Sequence, residues 1–105
     1  IREVYPLNNI LCIAGPTASG KTALSIALAK ELGYSGIRVN AVSPGVIDTA
    51  MNAHFSQEDM HAIMEEIPMG RIGTCQDVVK AVLFLDENEY VTGINVPVNG
   101  GFSIV

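Results

Sequence analysis

Residues 15–22 combine residue types at a spacing that phosphate binding uses. They run Gly-Pro-Thr-Ala-Ser-Gly-Lys-Thr and match the pattern G-x-x-x-x-G-K-S/T of the P-loop. The two glycines let the backbone turn so that successive N–H groups point at an anion. Lys21 would reach the outer phosphates and the Thr22 hydroxyl would hold Mg²⁺, which predicts ATP or another phosphate ligand bound with Mg²⁺. The predicted phosphate ligands are Gly15, Ser19, Gly20, Lys21 and Thr22.

A P-loop needs a strand before it and a helix after it, and the sequence supplies both. The apolar run Ile10–Ala14 predicts a strand covered on both faces. Residues 22–32 are rich in Ala and Leu and predict a helix that is apolar almost all round, so most of it should be buried. Residues 37–42 alternate between apolar and polar and predict a second strand, with Arg38 and Asn40 on its polar face. Strand, helix and strand in this order predict parallel pairing.

Two further helices and a last strand complete the predicted fold. Ser56 predicts the N-cap of an amphipathic helix that ends before Pro68. Thr74, with an aspartate three residues later, predicts a capped helix over residues 75–85. Residues 94–98 predict a strand. The fold class is therefore α/β: a small parallel three-stranded sheet flanked by helices, a Rossmann-like half that starts with a P-loop β-α-β unit, in a single domain over residues 1–105.

Residues 82–87 allow two interpretations. Their order Val-Leu-Phe-Leu-Asp-Glu has the form of a Walker B strand, in which Asp86 would hold Mg²⁺ beside Thr22. The alternative is the end of the capped helix, and the cap at Thr74 favours it. A helical Asp86 would lie away from the P-loop and leave no base for hydrolysis, so negligible ATPase activity is expected.

The composition predicts a packed domain without a basic face. Of 105 residues, 49% are hydrophobic and 16% are charged, and the formal net charge is −5, which argues against binding to nucleic acid or to a membrane surface. The longest apolar run is too short to cross a bilayer and no signal peptide is recognisable, so a cytoplasmic protein, or a recombinant expression product, is expected. Cys12 and Cys75 are expected to be free thiols, with a disulfide between them left open. The excess of apolar residues predicts a homodimer or a higher oligomer.

Four segments of the chain resemble a known enzyme family. They are Gly-Ile-Arg-Val-Asn-Ala-Val-Ser-Pro-Gly at residues 36–45, Pro-Met-Gly-Arg-Ile-Gly at 68–73, Tyr-Val-Thr-Gly at 90–93 and Asn-Gly-Gly-Phe at 99–102. With them, residues 36–104 resemble the C-terminal third of a short-chain dehydrogenase/reductase, close to the 3-oxoacyl-carrier-protein reductases.

That resemblance implies both a cofactor contact and a loss of chemistry. It assigns residues 44–49 to a Pro-Gly-x-x-x-Thr loop whose backbone and Thr49 contact the nicotinamide amide. It places the catalytic Tyr and Lys of that family at Ala14 and Ala18, which cannot transfer protons. The expectation is therefore a chain that is not a working reductase and is unlikely to bind NAD(P), with Thr49 as a weak relic of the nicotinamide site.

Residues 10–32 resemble a different family, the tRNA dimethylallyltransferases, through the form of the P-loop. Two families joined in one chain suggest a recombined or engineered chimera that has lost both parental activities. The main hypothesis is then a non-catalytic or weakly active phosphate- or nucleotide-binding domain. The alternatives are a folding scaffold with no ligand and a residual NAD(P)-linked oxidoreductase fragment.

Overall fold

The structure, a computed structural model, describes residues 10–14, 20–50 and 53–102, and of residues 10–14 the backbone only. The P-loop residues Gly15 and Ser19, and with them the predicted P-loop start of the fold, lie outside these ranges. The helices and strands, in chain order, are β1 (Ile10–Ala14), α1 (Lys21–Gly33), β2 (Arg38–Pro44), α2 (Gln57–Glu65), α3 (Cys75–Glu87) and β3 (Asn95–Val98).

The strands form one parallel sheet in the order β1-β2-β3. Ile13 of β1 lies opposite Ala41 of β2, and Ser43 of β2 lies opposite Pro97 of β3. Each connection between neighbouring strands contains at least one helix, as parallel pairing requires. The predicted small α/β fold with a parallel sheet flanked by helices is confirmed.

The central strand β2 is buried on both faces, although its sequence alternates between apolar and polar. Arg38 is 9% exposed and Asn40 is fully buried. The Arg38 guanidinium donates to the carbonyls of Leu85 at 2.6 Å and Asp86 at 3.0 Å, at the end of α3. Asn40 Nδ2 donates to the Val91 carbonyl at 3.1 Å. The polar face is buried because these hydrogen bonds replace water.

Helix α1 is less buried than its composition predicts. Its buried residues are Lys21, Ser25 and Ala29, which recur every four positions and form one stripe. Leu24 is 53% exposed and Ile26 is 39% exposed. A sheet of three strands is narrow, so it covers only the stripe of α1 that lies against it.

Both predicted helix caps are present. Ser56 Oγ accepts from Asp59 N at 3.1 Å, and Asp59 Oδ2 accepts from Ser56 N at 3.2 Å. Thr74 Oγ1 accepts from Asp77 N at 3.2 Å, and Asp77 Oδ2 accepts from Thr74 N at 2.8 Å. These reciprocal pairs satisfy N–H groups that the first turn of a helix leaves without partners. None of the helices described has the length and hydropathy that crossing a bilayer requires.

Candidate functional site

Residues 44–49 begin at the last residue of β2 and lie at the carboxyl edge of the sheet, and we call them the edge loop. In parallel α/β sheets ligands bind at this edge. Gly45 N donates to the Val98 carbonyl at 2.9 Å. A Cβ at position 45 would lie 2.6 Å from Asn99 Cβ and 2.8 Å from Asn99 Cα. Only glycine allows the edge loop to approach the end of β3 this closely.

The other side of the edge loop is bonded to the segment before α3. Gly73 N donates to the Val46 carbonyl at 3.0 Å, and Asp48 N donates to the Gly73 carbonyl at 2.8 Å. Ile47 and Gly73 thereby form a short parallel bridge. The edge loop is held from two directions, so its backbone is placed before any ligand arrives.

A cleft of about 830 Å³ opens beside the edge loop. Thr49 and the Cys75 thiol are its polar side chains, and the rest of its wall is apolar. Cys75 is a free thiol whose Sγ lies 4.0 Å from the Asp48 carbonyl oxygen; the side chain of Cys12 is outside the described part. The volume is that of a small-molecule site. The lining residues are Pro44, Gly45, Val46, Ile47, Thr49, Phe55, Ile63, Cys75, Val78, Val79, Val82 and Leu83.

An ion pair that sequence reasoning missed lies where α3 begins. Arg71 Nη1 is 2.9 Å from Asp77 Oδ2, and the same carboxylate accepts from the backbone of Thr74. These hydrogen bonds hold the pKa of Asp77 well below its usual range. The bond from Arg71 has the largest effect, and the bond from the Thr74 backbone has the second largest. Arg71 lies six residues before Asp77, so the helical spacing of the sequence gives no sign of the pair.

The predicted phosphate ligands that the structure describes are Gly20, Lys21 and Thr22. Gly20 precedes α1 with a left-handed φ of 80°. Lys21 is 4% exposed, and its Nζ donates to Ser43 Oγ on β2. The Thr22 carbonyl accepts from Ser25 Oγ at 2.9 Å. The role of these residues as phosphate ligands stays a prediction.

Asp86 does not lie beside Thr22. Residues 82–87 belong to α3, which confirms the helical interpretation and shows that the Walker B interpretation is wrong. The Asp86 carbonyl contacts Arg38 at the start of β2, whereas Lys21, next to Thr22, contacts Ser43 near its end. Arg38 and Ser43 lie five residues apart on the extended strand, which is about 17 Å. These contacts do not bring Asp86 and Thr22 together as ligands of one Mg²⁺ ion, whose ligands lie about 2 Å away.

A parallel sheet flanked by helices, with a glycine-dependent loop and a cleft at its carboxyl edge, is a Rossmann-like arrangement. The family described as Enoyl-(Acyl carrier protein) reductase matches residues 12–103, and the chain belongs to that family.

Relatives of the chain are reductases or oxidoreductases by name. The chain is 45% identical over 85 residues to the 3-oxoacyl-(acyl-carrier-protein) reductase FabG of Pseudomonas aeruginosa. The aligned residues cover 79% of this chain and 34% of the relative. The chain is 39% identical over 85 residues to the acetoacetyl-CoA reductase of Allochromatium vinosum, covering 79% and 35%. An uncharacterized oxidoreductase of Bacillus subtilis, YmfI, is 47% identical over 77 residues, covering 71% and 32%. The chain spans about a third of the length of these relatives.

These findings correct two expectations from the sequence. The family match includes α1 and most of β1, so the similarity to reductases is not confined to residues 36–104, and nothing supports a tRNA dimethylallyltransferase segment or a chimera. The expectation that NAD(P) is unlikely is wrong, because the chain belongs to a reductase family for which the sequence resemblance implies a nicotinamide cofactor. Nothing in the comparisons supports ATP with Mg²⁺.

Proposed function

We propose that this chain is the C-terminal part of an NAD(P)-linked oxidoreductase that acts on 3-oxoacyl thioesters. The observation that carries the proposal is the edge loop, whose sequence resembles a nicotinamide-contacting loop and which borders a cleft of small-molecule size. The similarity to reductases of 3-oxoacyl and acetoacetyl thioesters supports the same substrate class.

In this proposal the chain holds the cofactor and the substrate. The Thr49 hydroxyl and the edge-loop backbone contact the nicotinamide amide, and the bound cofactor supplies the hydride. The apolar wall of the cleft excludes water and accommodates an acyl chain. Ala14 and Ala18 stand where the resemblance places the proton-transferring residues, so proton transfer is not assigned to this chain.

The first prediction concerns the Thr49 hydroxyl. We expect the chain to bind NADPH weakly, with a Kd in the range of about 1 mM, or about −4 kcal/mol. Thr49→Val keeps the side-chain volume but removes the hydroxyl, and it should raise the Kd about 3- to 10-fold, as the loss of one hydrogen bond does. The measurement is a saturation-transfer NMR titration that follows the nicotinamide and adenine protons separately.

Thr49→Ser is the matched control, because it keeps the hydroxyl and should bind as the wild type does. If the wild-type chain transfers no saturation to the nicotinamide protons at millimolar NADPH, the proposal is wrong. If Thr49→Val binds like Thr49→Ser, the cofactor is held elsewhere and the role of Thr49 is lost.

We propose further that the chain forms a homodimer or a higher oligomer. Support comes from large apolar side chains that are exposed outside the cleft: Phe84 of α3 is 48% exposed, and Leu24 and Ile26 of α1 are 53% and 39% exposed. Exposed apolar surface of this kind favours association with another chain.

A further inference from the structure

A chain of hydrogen-bonded polar side chains, two of them buried, ends directly before the edge loop. Lys21 Nζ donates to Ser43 Oγ, and Ser43 Oγ donates to Asn95 Oδ1 at 2.8 Å. Lys21 is 4% exposed and Ser43 is 3% exposed. The three residues join α1, β2 and β3: Ser43 lies one residue before the edge loop begins at Pro44, and Asn95 is the first residue of β3.

Stability alone does not explain a lysine at this position. The ion pairs in the described part of the chain are His61–Glu65 and Arg71–Asp77, so Lys21 has no carboxylate partner there. Burying an ammonium group without an opposite charge opposes folding. Apolar residues of similar volume often replace buried charges without loss of stability.

We infer that Lys21 is a positioning residue for the nicotinamide cofactor. Its ammonium group orients the Ser43 hydroxyl from α1, and Asn95 fixes the same hydroxyl from β3. Ser43 directly precedes Pro44, which ends β2 and begins the edge loop, so the placement of Ser43 sets the path of the edge loop. A loop fixed in advance loses less conformational entropy when it binds a ligand. The inference rests on the proposed function, since it assigns Lys21 to the same cofactor site.

The test compares NADPH binding and thermal unfolding in variants of the full chain. Lys21→Met removes the charge at similar length, and Ser43→Ala removes the hydroxyl that Lys21 orients. Both should raise the Kd for NADPH about 5- to 10-fold by costing preorganisation. Both should also lower saturation transfer to the nicotinamide protons relative to the adenine protons. The Tm of Lys21→Met should be unchanged or higher, because a buried charge has been removed.

Two lysine variants serve as controls. Lys21→Arg keeps a charged donor and should recover part of the lost affinity. Lys30→Met changes an exposed lysine in the last turn of the same helix and should leave binding unchanged. If Lys21→Met fails to fold, Ser43→Ala carries the comparison.

Three results overturn the inference. In the first, Lys21→Met and Ser43→Ala bind NADPH as the wild type does, with an unchanged ratio of nicotinamide to adenine signals, which leaves the proposed function intact. In the second, affinity and Tm fall together in Lys21→Met and Lys21→Arg recovers nothing, which assigns Lys21 to folding. In the third, the wild-type chain does not bind NADPH, and the proposed function fails together with the inference.

Discussion

Gly45 is the residue at which the edge loop and the end of β3 come closest. Its φ is not in the left-handed region, so conformation alone would permit another residue. The available space does not permit another residue, because a Cβ there would lie 2.8 Å from the backbone Cα of Asn99. At Gly73 the nearest atom to a new Cβ, also at 2.8 Å, is Ile47 Cδ1, the end of a flexible side chain. An alanine at position 45 therefore requires the backbone at Asn99 to move, whereas an alanine at position 73 requires only the Ile47 side chain to move.

Alanine substitutions at these two glycines should separate the two situations. Gly45→Ala should lower the free energy of unfolding by about 2 kcal/mol, since backbone must shift to relieve the overlap. Gly73→Ala should lower it by less than about 1 kcal/mol, because Ile47 can change rotamer. Urea unfolding followed by circular dichroism measures both changes.

Gly33→Ala is the control for the effect of the methyl group itself. Gly33 lies at the end of α1 with nothing within 4 Å of the added Cβ. The substitution should leave stability unchanged or raise it by up to about 1 kcal/mol, because alanine favours helix. Equal losses for Gly45→Ala and Gly73→Ala would contradict the distinction between backbone and side-chain contacts.

At the scale of elements, Arg38 joins β2 to the carboxyl end of α3. Its guanidinium donates to four backbone carbonyls, including that of Asn88 at 3.0 Å and that of Val91 at 3.2 Å. The last carbonyls of a helix have no partners within the helix, and they carry the negative end of its dipole. A buried cation there satisfies both needs and fixes α3 on the sheet.

Arg38→Met should destabilise the protein by about 3 kcal/mol. The substitution keeps most of the apolar stem but leaves several buried carbonyls without a donor. Arg71→Met is the matched control, because Arg71 is 55% exposed at the other end of α3, and it should change stability little. Thermal unfolding of both variants measures the difference, and similar Tm losses would show that Arg38 does not fix α3 as proposed.

The elements themselves could be predicted, but their partners could not. Caps are local, so Ser56 and Thr74 marked the starts of α2 and α3 within the sequence. The alternation of residues 37–42 predicts a polar face that includes Arg38. Alternation shows which residues share a face of the strand, and it does not show whether that face is buried. The acceptors of Arg38 lie about 50 positions away along the chain, and no local pattern encodes such a distance. The same holds for Lys21, whose partner Ser43 belongs to another element.

At the scale of the whole molecule, the described part of the chain has a small core. Its buried apolar residues are few and include two alanines: Ala29, Val39, Ala41, Val42, Ile67 and Leu85. Such a small core leaves large apolar side chains exposed, among them Leu24 and Phe84.

Sedimentation should detect self-association of the chain, which we expect to occur through the exposed Phe84 of α3. We expect a homodimer or higher oligomer at micromolar concentration, because the exposed side chain of Phe84, which lies outside the cleft, gains by burial. Phe84→Glu places a charge in that contact and should shift the chain toward monomer, as equilibrium centrifugation would show.

Tyr34→Ser is the control for that experiment. Tyr34 is 96% exposed after α1, so its substitution should leave the association unchanged. A wild-type chain that sediments as a monomer up to about 100 μM would remove the case for self-association through α3.

Pro97 determines where the sheet can accept another strand. The Ile94 carbonyl accepts from Ala41 N, and the Val98 carbonyl accepts from Gly45 N, both at 2.9 Å on the side of β2. Pro97, one residue before Val98, therefore presents its backbone on the opposite side, and a proline has no N–H to offer there. A strand approaching from beyond β3 would meet a gap in the ladder. Lateral growth of the sheet at the edge beside β3 is thus disfavoured.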